Sequence, residues 1–190
     1  MKSNILKSTL VLILAVTFVS FTSISEKNVD VTKSQVTWKA YKVTGSHAGT
    51  IALESGTLNF EDDKLVGGKF NIDMTTIKTT DIQGEYAKKL DGHLKSDDFF
   101  GVETHPTANI VFKTVKSSSK NSYIVNADLT IKGKTNPITF EISIYGSKAT
   151  ANLKVDRTKY DVRYGSTSFF DNLQDKAIYD EFDLIVDLQF

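Results

Sequence analysis

Residues Tyr123–Asp156 read YIVNADLTIKGKTNPITFEISIYGSKATANLKVD, and their apolar side chains fall on every second position. Tyr123, Val125, Ala127, Leu129 and Ile131 alternate with Asn126, Asp128 and Thr130; Ile138, Phe140, Ile142 and Ile144 alternate with Thr139, Glu141 and Ser143. Ala149, Ala151, Leu153 and Val155 then alternate with Thr150, Asn152, Lys154 and Asp156. Successive side chains of a strand point to opposite faces, so each run is a strand with one dry and one wet face. Lys132-Gly133-Lys134 and Gly146-Ser147 supply the turns between them. One-faced strands joined by turns this short form an antiparallel meander.

The same period extends in both directions. Val36, Trp38 and Ala40 alternate with Thr37 and Lys39, and Val66, Gly68, Phe70, Ile72 and Met74 with Gly67, Lys69, Asn71 and Asp73. The runs Ala48–Phe60, Ala108–Val115 and Phe182–Phe190 bring the total to eight strands. Eight strands with one buried face close on themselves and thereby lose the exposed edges that invite aggregation. The sequence therefore predicts an all-β, eight-stranded antiparallel barrel, with a two-sheet sandwich as the rival.

Two segments interrupt the alternation. Ile82, Tyr86, Leu90 and Leu94 recur every four positions, the stripe of a short amphipathic helix. Tyr160–Tyr179 is rich in Tyr, Phe, Gly and Asn and reads as a long loop with one helical turn, of the kind that serves as a lid or binding loop. Both are expected near the barrel mouth.

HLKSDDFFGVETHPT, residues 93–107, tests the catalytic alternative. Ser96-Asp97-Asp98 supplies short polar side chains that stop a helix, which makes Phe99 and Phe100 an inward aromatic plug. His93 lies about 100° round the helix from Leu94 and is expected to face solvent. His105 is held extended by Pro106. No two of His47, His93 and His105 have the spacing of a helical zinc motif, so neither a metal nor any other cofactor is expected. Gly45-Ser46-His47-Ala48-Gly49 has the glycine spacing of a nucleophile elbow, but histidine occupies the nucleophile position. Gly67-Gly68-Lys69 lacks phosphate-loop spacing, and its glycines fit a bend or a close approach of strands. Asp156-Arg157 reads as an ion pair at a strand end, while Arg157, Lys159 and Arg163 also offer contacts for an anionic head at the rim.

MKSNILKSTLVLILAVTFVSFTSIS, with Lys2 and Lys7 before an apolar run, reads as an export signal cut near Glu26. The run is shorter than the roughly 20 residues of a membrane span, so no stable membrane insertion is expected. The expected organisation is a removed segment 1–25 and a single domain 26–190. The chain has no cysteine, which removes disulfides and thiol chemistry. Loss of Lys2 and Lys7 leaves 21 basic and 23 acidic side chains with no basic block, and nucleic acid is excluded as an expected partner.

Taken in order, Trp38 with Gly45-Ser46-His47-Ala48-Gly49, Gly56-Thr57-Leu58-Asn59-Phe60, Gly67-Gly68-Lys69-Phe70-Asn71-Ile72-Asp73-Met74, His93-Leu94-Lys95-Ser96-Asp97-Asp98-Phe99-Phe100 with Pro106, Leu129-Thr130-Ile131-Lys132-Gly133 with Pro137, and Asp156-Arg157-Thr158-Lys159-Tyr160 resemble the YceI-like, polyisoprenoid-binding proteins. The resemblance implies a lipocalin-like barrel exported to the bacterial periplasm, or alternatively secreted. In some members that barrel holds a long isoprenoid or another amphiphilic chain. It carries over no catalytic residue. The expected function is thus a non-enzymatic binding protein for an isoprenoid or fatty-acid-like amphiphile, with Trp38, Phe60, Phe70, Phe112, Phe140 and Leu184 round the tail. Phe99 and Phe100 guard the entrance and Arg157 stands at the rim. A hydrolase using His47, His93 or His105 and a stress-related structural domain with a packed interior are the alternatives. A homodimer stays open.

Overall fold

The structure is a computed structural model and describes residues 23–190. The expected export segment falls outside that range except for its last three residues. The strands are β1 (Ile24–Asn28), β2 (Gln35–Lys42), β3 (Gly45–Glu61), β4 (Lys64–Thr79), β5 (Thr107–Ser117), β6 (Ser122–Ile131), β7 (Lys134–Tyr145), β8 (Lys148–Asp156) and β9 (Ile178–Gln189). One helix, α1 (Gly84–Lys95), lies between β4 and β5, and two short 3-10 turns lie in the segment between β8 and β9.

β2 to β9 pair antiparallel with their neighbours, β2 also pairs with β9, and the ring shuts through β3–β4. This is the eight-stranded barrel, and the sandwich is ruled out. The ninth strand, β1, lies along Thr57–Glu61 of β3, an edge that β2 leaves unpaired. The sequence pattern does not reveal it because all five of its residues are exposed and carry no alternation.

β3 and β4 are 17 and 16 residues long and bend through three register shifts in their shared ladder. Glycine lets side chains of adjacent strands lie across the backbone at the bends. A Cβ on Gly49 would stand 2.5 Å from the Trp38 ring and would overlap the Lys78 carbonyl oxygen, and one on Gly68 would stand 2.9 Å from Phe112. The close approach expected of Gly67-Gly68 is thus real at Gly68. Asp62-Asp63 and Lys132-Gly133 have positive φ at both positions, the backbone that two-residue hairpins demand. Pro137 sits in a half of β7 that β8 does not reach, so its missing N–H breaks no ladder on that side.

The hairpins divide the barrel into two ends. The β3–β4, β5–β6 and β7–β8 turns and the C-terminus meet at one, where buried Leu58, Phe60, Leu65, Tyr123, Val125 and Ala149 fill the interior. The β2–β3 and β6–β7 turns, α1 and the long loop gather at the other. The helix turns a different stripe inward from the one expected. Leu94 is buried and Ala87, Leu90 and Asp91 are half-buried, whereas Tyr86 is 77% exposed. A four-residue repeat gains about 40° per step on a helix of 3.6 residues per turn, so Tyr86 stands about 80° round from Leu94, at the margin of the inner face, while Ile82 precedes the helix altogether. Asp91 belongs to the inner face because its Oδ1 accepts the Thr79 N–H at 2.7 Å, tying the helix to the end of β4.

Candidate functional site: an apolar tunnel beneath a loop and helix

The inward residues do not fill the mouth half of the barrel. Beneath the loop and helix lies a cavity of about 100 Å³, with Val36, Trp38, Met74, Phe99, Phe100 and Phe182 among its walls. A second hollow of about 80 Å³ lies deeper, between Phe70, Phe112, Phe140, Leu153 and Val186. Val36, Ile72, Leu129 and Leu184 border both and form a waist between them. A third hollow of about 70 Å³ shares Trp38, Ala40, Leu94, Phe99 and Ile178 with the first and runs out between α1 and the β2–β3 hairpin. A water needs only about 10–15 Å³ but also two to four polar partners, and the two inner hollows are walled almost wholly by hydrocarbon. Their shape and chemistry suit an aliphatic chain better than water.

Phe99 and Phe100 are both buried just past the end of α1. Ser96 Oγ donates to the His93 carbonyl and the Ser96 N–H to the Gly92 and His93 carbonyls, ending α1 there. The next turn drives both rings inward, leaving Phe99 7% and Phe100 8% exposed. The two rings meet edge to face at 5.0 Å, and Phe100 reaches Phe182 at 6.5 Å.

His93 does not face solvent. Its ring lies 4.4 Å from that of Tyr164 and 5.5 Å from that of Phe99, because the long loop covers the flank the isolated helix would expose. Its Nε2 is buried without a partner. His47 is held by Asp81, Nδ1 to Oδ2 at 3.0 Å, and since a carboxylate only accepts, the proton sits on Nδ1. Burial raises the Asp81 pKa, but the His47 bond and the backbone N–H groups of Ala48 and Asp81 outweigh it, so the carboxyl lies below its usual range. His105 lies elsewhere, beside Gly101 and Gly133. Among the described residues no three His, Asp or Glu side chains gather as a metal site.

Arg157 is 2% exposed and borders the first cavity. Its guanidinium donates to the carbonyls of Val162, Tyr164, Ile178 and Tyr179 at 2.8–3.1 Å and lies 3.5 Å from Asp180 Oδ1. Its ion pair is therefore with Asp180 and not with its neighbour Asp156, which instead caps the 3-10 turn through Thr158. Burial pulls the guanidinium below its ordinary pKa against the opposing field of Asp180 and Asp156. The arrangement clamps the two ends of the long loop together over the mouth. Arg163 pairs with Asp161 on the surface, and the carbonyl of the exposed Lys159 accepts from Asn136.

Of the candidate ligand-lining residues, Trp38, Phe99, Phe100, Arg157 and Leu184 border the outer cavity, and Phe70, Phe112, Phe140 and again Leu184 the inner one. Phe60 borders none of the three hollows. It lies at the filled end against Phe190, 5.7 Å between ring centres. Ile72, Leu129 and Lys42 are lining residues that the sequence pattern alone does not single out, although each continues the dry face of a strand. Lys42 follows Val36, Trp38 and Ala40 at the same spacing, and a lysine on that face was the available signal.

The barrel closed through β3–β4, its plug and its loop all fall within the stretch that the YceI-like domain model matches, residues 28–190. The chain belongs to the YceI-like family. Among its relatives, UPF0312 proteins of Pseudomonas putida strain W619 and of Photorhabdus laumondii are 32% and 31% identical over 98 residues. That alignment takes in 52% of this chain and 49% and 48% of theirs, so the chain spans about half the length of the curated relatives it matches. Burkholderia cenocepacia BcnA superposes with a TM-score of 0.67 at 23% identity, over 84% of this chain and 98% of BcnA. A polyisoprenoid binding domain from Saccharophagus degradans, implicated in plant cell wall breakdown, superposes with 0.61 at 15% identity, over 88% and 97%. At those identities the superpositions establish the shared YceI-like fold.

Proposed function

We propose that the protein is an exported, non-enzymatic carrier that holds the hydrocarbon tail of one amphiphile in its barrel. The observation that carries the reading is the chain of three bordering hollows from the α1 flank past the Phe99-Phe100 plug to Phe140. A packed structural domain has no reason to leave that space. A tail of about 16 carbons buried at about 0.8 kcal/mol per CH₂ gains roughly 13 kcal/mol, against an association cost of about 4–15 kcal/mol. The balance favours binding over most of that range, so the tail supplies most of the affinity. The polyisoprenoid-binding description of the Saccharophagus relative supports a prenyl chain as one such tail. His47–Asp81 has the form of an oriented base, but no Ser, Thr or Cys borders the three hollows, so no hydroxyl or thiol nucleophile of those types accompanies it. The N-terminal segment supports delivery to the periplasm. Organic extraction of the purified protein followed by mass spectrometry tests the carrier reading. A stoichiometric amphiphile is the expected result, and a clean extract together with no uptake of added long-chain probes rejects it.

A further inference from the structure

The third hollow differs from the other two in its polar inventory. Trp38, Ala40, Leu90, Leu94, Phe99 and Ile178 supply its apolar wall, and Tyr41, Lys42, His47 and His93 the rest. No Asp or Glu borders it. Trp38 Nε1 and His93 Nε2 are both buried without a hydrogen-bond partner, which folded proteins rarely leave so. Indole N–H only donates. Lys42 is half-buried and enters no salt bridge among the described residues. The nearby carboxylates are committed elsewhere, Asp81 to His47, Asp91 to the Thr79 N–H, and Asp183 to the Tyr41 hydroxyl at 2.7 Å.

We infer that this hollow is the seat of the ligand's polar head, and that the head is an oxyanion, a carboxylate or a phosphate. An oxyanion accepts from the Trp38 indole, fixes His93 with its proton on Nε2, and meets the Lys42 ammonium, while the tail passes Phe99 into the barrel. A neutral hydroxyl or ketone satisfies the indole but leaves the ammonium without a counter-charge, and charge-assisted hydrogen bonds are about twice as strong as neutral ones. The inference rests on the carrier reading and deepens it by naming the head.

Calorimetry with four probes tests it: hexadecanoic acid against hexadecanol, and farnesyl phosphate against farnesol, each below its micelle concentration. The expected result is binding of at least one anion about tenfold tighter than its alcohol, with the preferred anion naming the source of the head, and loss of that preference, read as the ratio of the two affinities, in Lys42→Met. Trp38→Phe, which keeps an aromatic wall but removes the donor, is expected to weaken the anion as well. Equal affinity for acid and alcohol, or a preference that survives Lys42→Met, overturns the head assignment and leaves the carrier standing. Failure of all four probes to bind removes both.

Discussion

Arg157 shows how one side chain fixes the mouth. Four backbone carbonyls from both ends of a long loop point at a single buried guanidinium, so replacing it strands four acceptors and the Asp180 carboxylate together. Arg157→Met is expected to cost about 3–5 kcal/mol, the usual loss when one partner of a buried charged network is removed. Urea unfolding gives the cost, and hydrogen exchange should show protection falling first between Val162 and Tyr179. An unchanged midpoint would show that the loop holds itself. Tyr160 gives a pH test. Burial, reinforced by the charge of Asp156, pushes its phenol up to about 12 from an ordinary 10. Between those values the folded state binds more protons than the unfolded one, so this contribution is complete below about pH 10 and lost as pH rises towards 12. Tyr160→Phe should flatten the alkaline stability curve by up to about 1.4 kcal/mol per pH unit in that window and leave it unaltered at neutral pH apart from a constant offset. Parallel curves for the two proteins would refute the assignment.

β1 and α1 lie outside the barrel ring and serve different ends of it. β1 covers the free edge of β3 at Thr57–Glu61, and the Lys27 ammonium lies 4.7 Å over the Phe60 ring and 5.4 Å over that of Phe190. A chain starting at Val29 should keep the barrel and its ligand, melt at lower temperature, and expose to exchange the amides of Thr57–Glu61 that pair with β1. Loss of ligand in that chain would mean the filled end is part of the site. The helix is held at the mouth by the Asp91–Thr79 bond and the buried Leu94. Asp91→Ala removes a charged acceptor, costs about 2 kcal/mol, and should speed release of a fluorescent fatty acid severalfold in stopped-flow displacement. An unaltered release rate would exclude α1 as the gate.

At the scale of the whole molecule the barrel is filled at one end and hollow at the other, and the waist of Val36, Ile72, Leu129 and Leu184 sets how far a tail can reach. Leu129→Phe adds bulk where there is space to take it, so stability should hold. Affinity for a 16-carbon tail should fall about tenfold, while an 8-carbon tail that stops above the waist binds as before. Titration of both chain lengths against both proteins distinguishes this from a general loss of fit. Equal losses for the two tails would mean the inner hollow takes no part.

The strands are legible in the order of the residues because a half-buried sheet imposes a two-residue period that survives in sequence. Tyr123–Asp156 alone specifies three strands and two turns, and Phe99 and Phe100 are inward because two large rings after a helix stop have no other favourable place. β1 is invisible for the same reason, since a strand exposed on both faces carries no period. The spacing misplaces the helix face at Tyr86 because a four-residue repeat only approximates a helical turn, and it misplaces His93 because the surface covering it comes from Tyr164, 71 positions away in the chain. Period determines which side of a strand is dry, and so the sequence by itself settled the sheet and the inward set. Whether those inward side chains meet across the barrel or stop short of one another depends on its curvature, bulges and closure. Only the tertiary structure could decide that Phe60 helps fill one end while Trp38, His93 and Lys42 are left round an opening at the other.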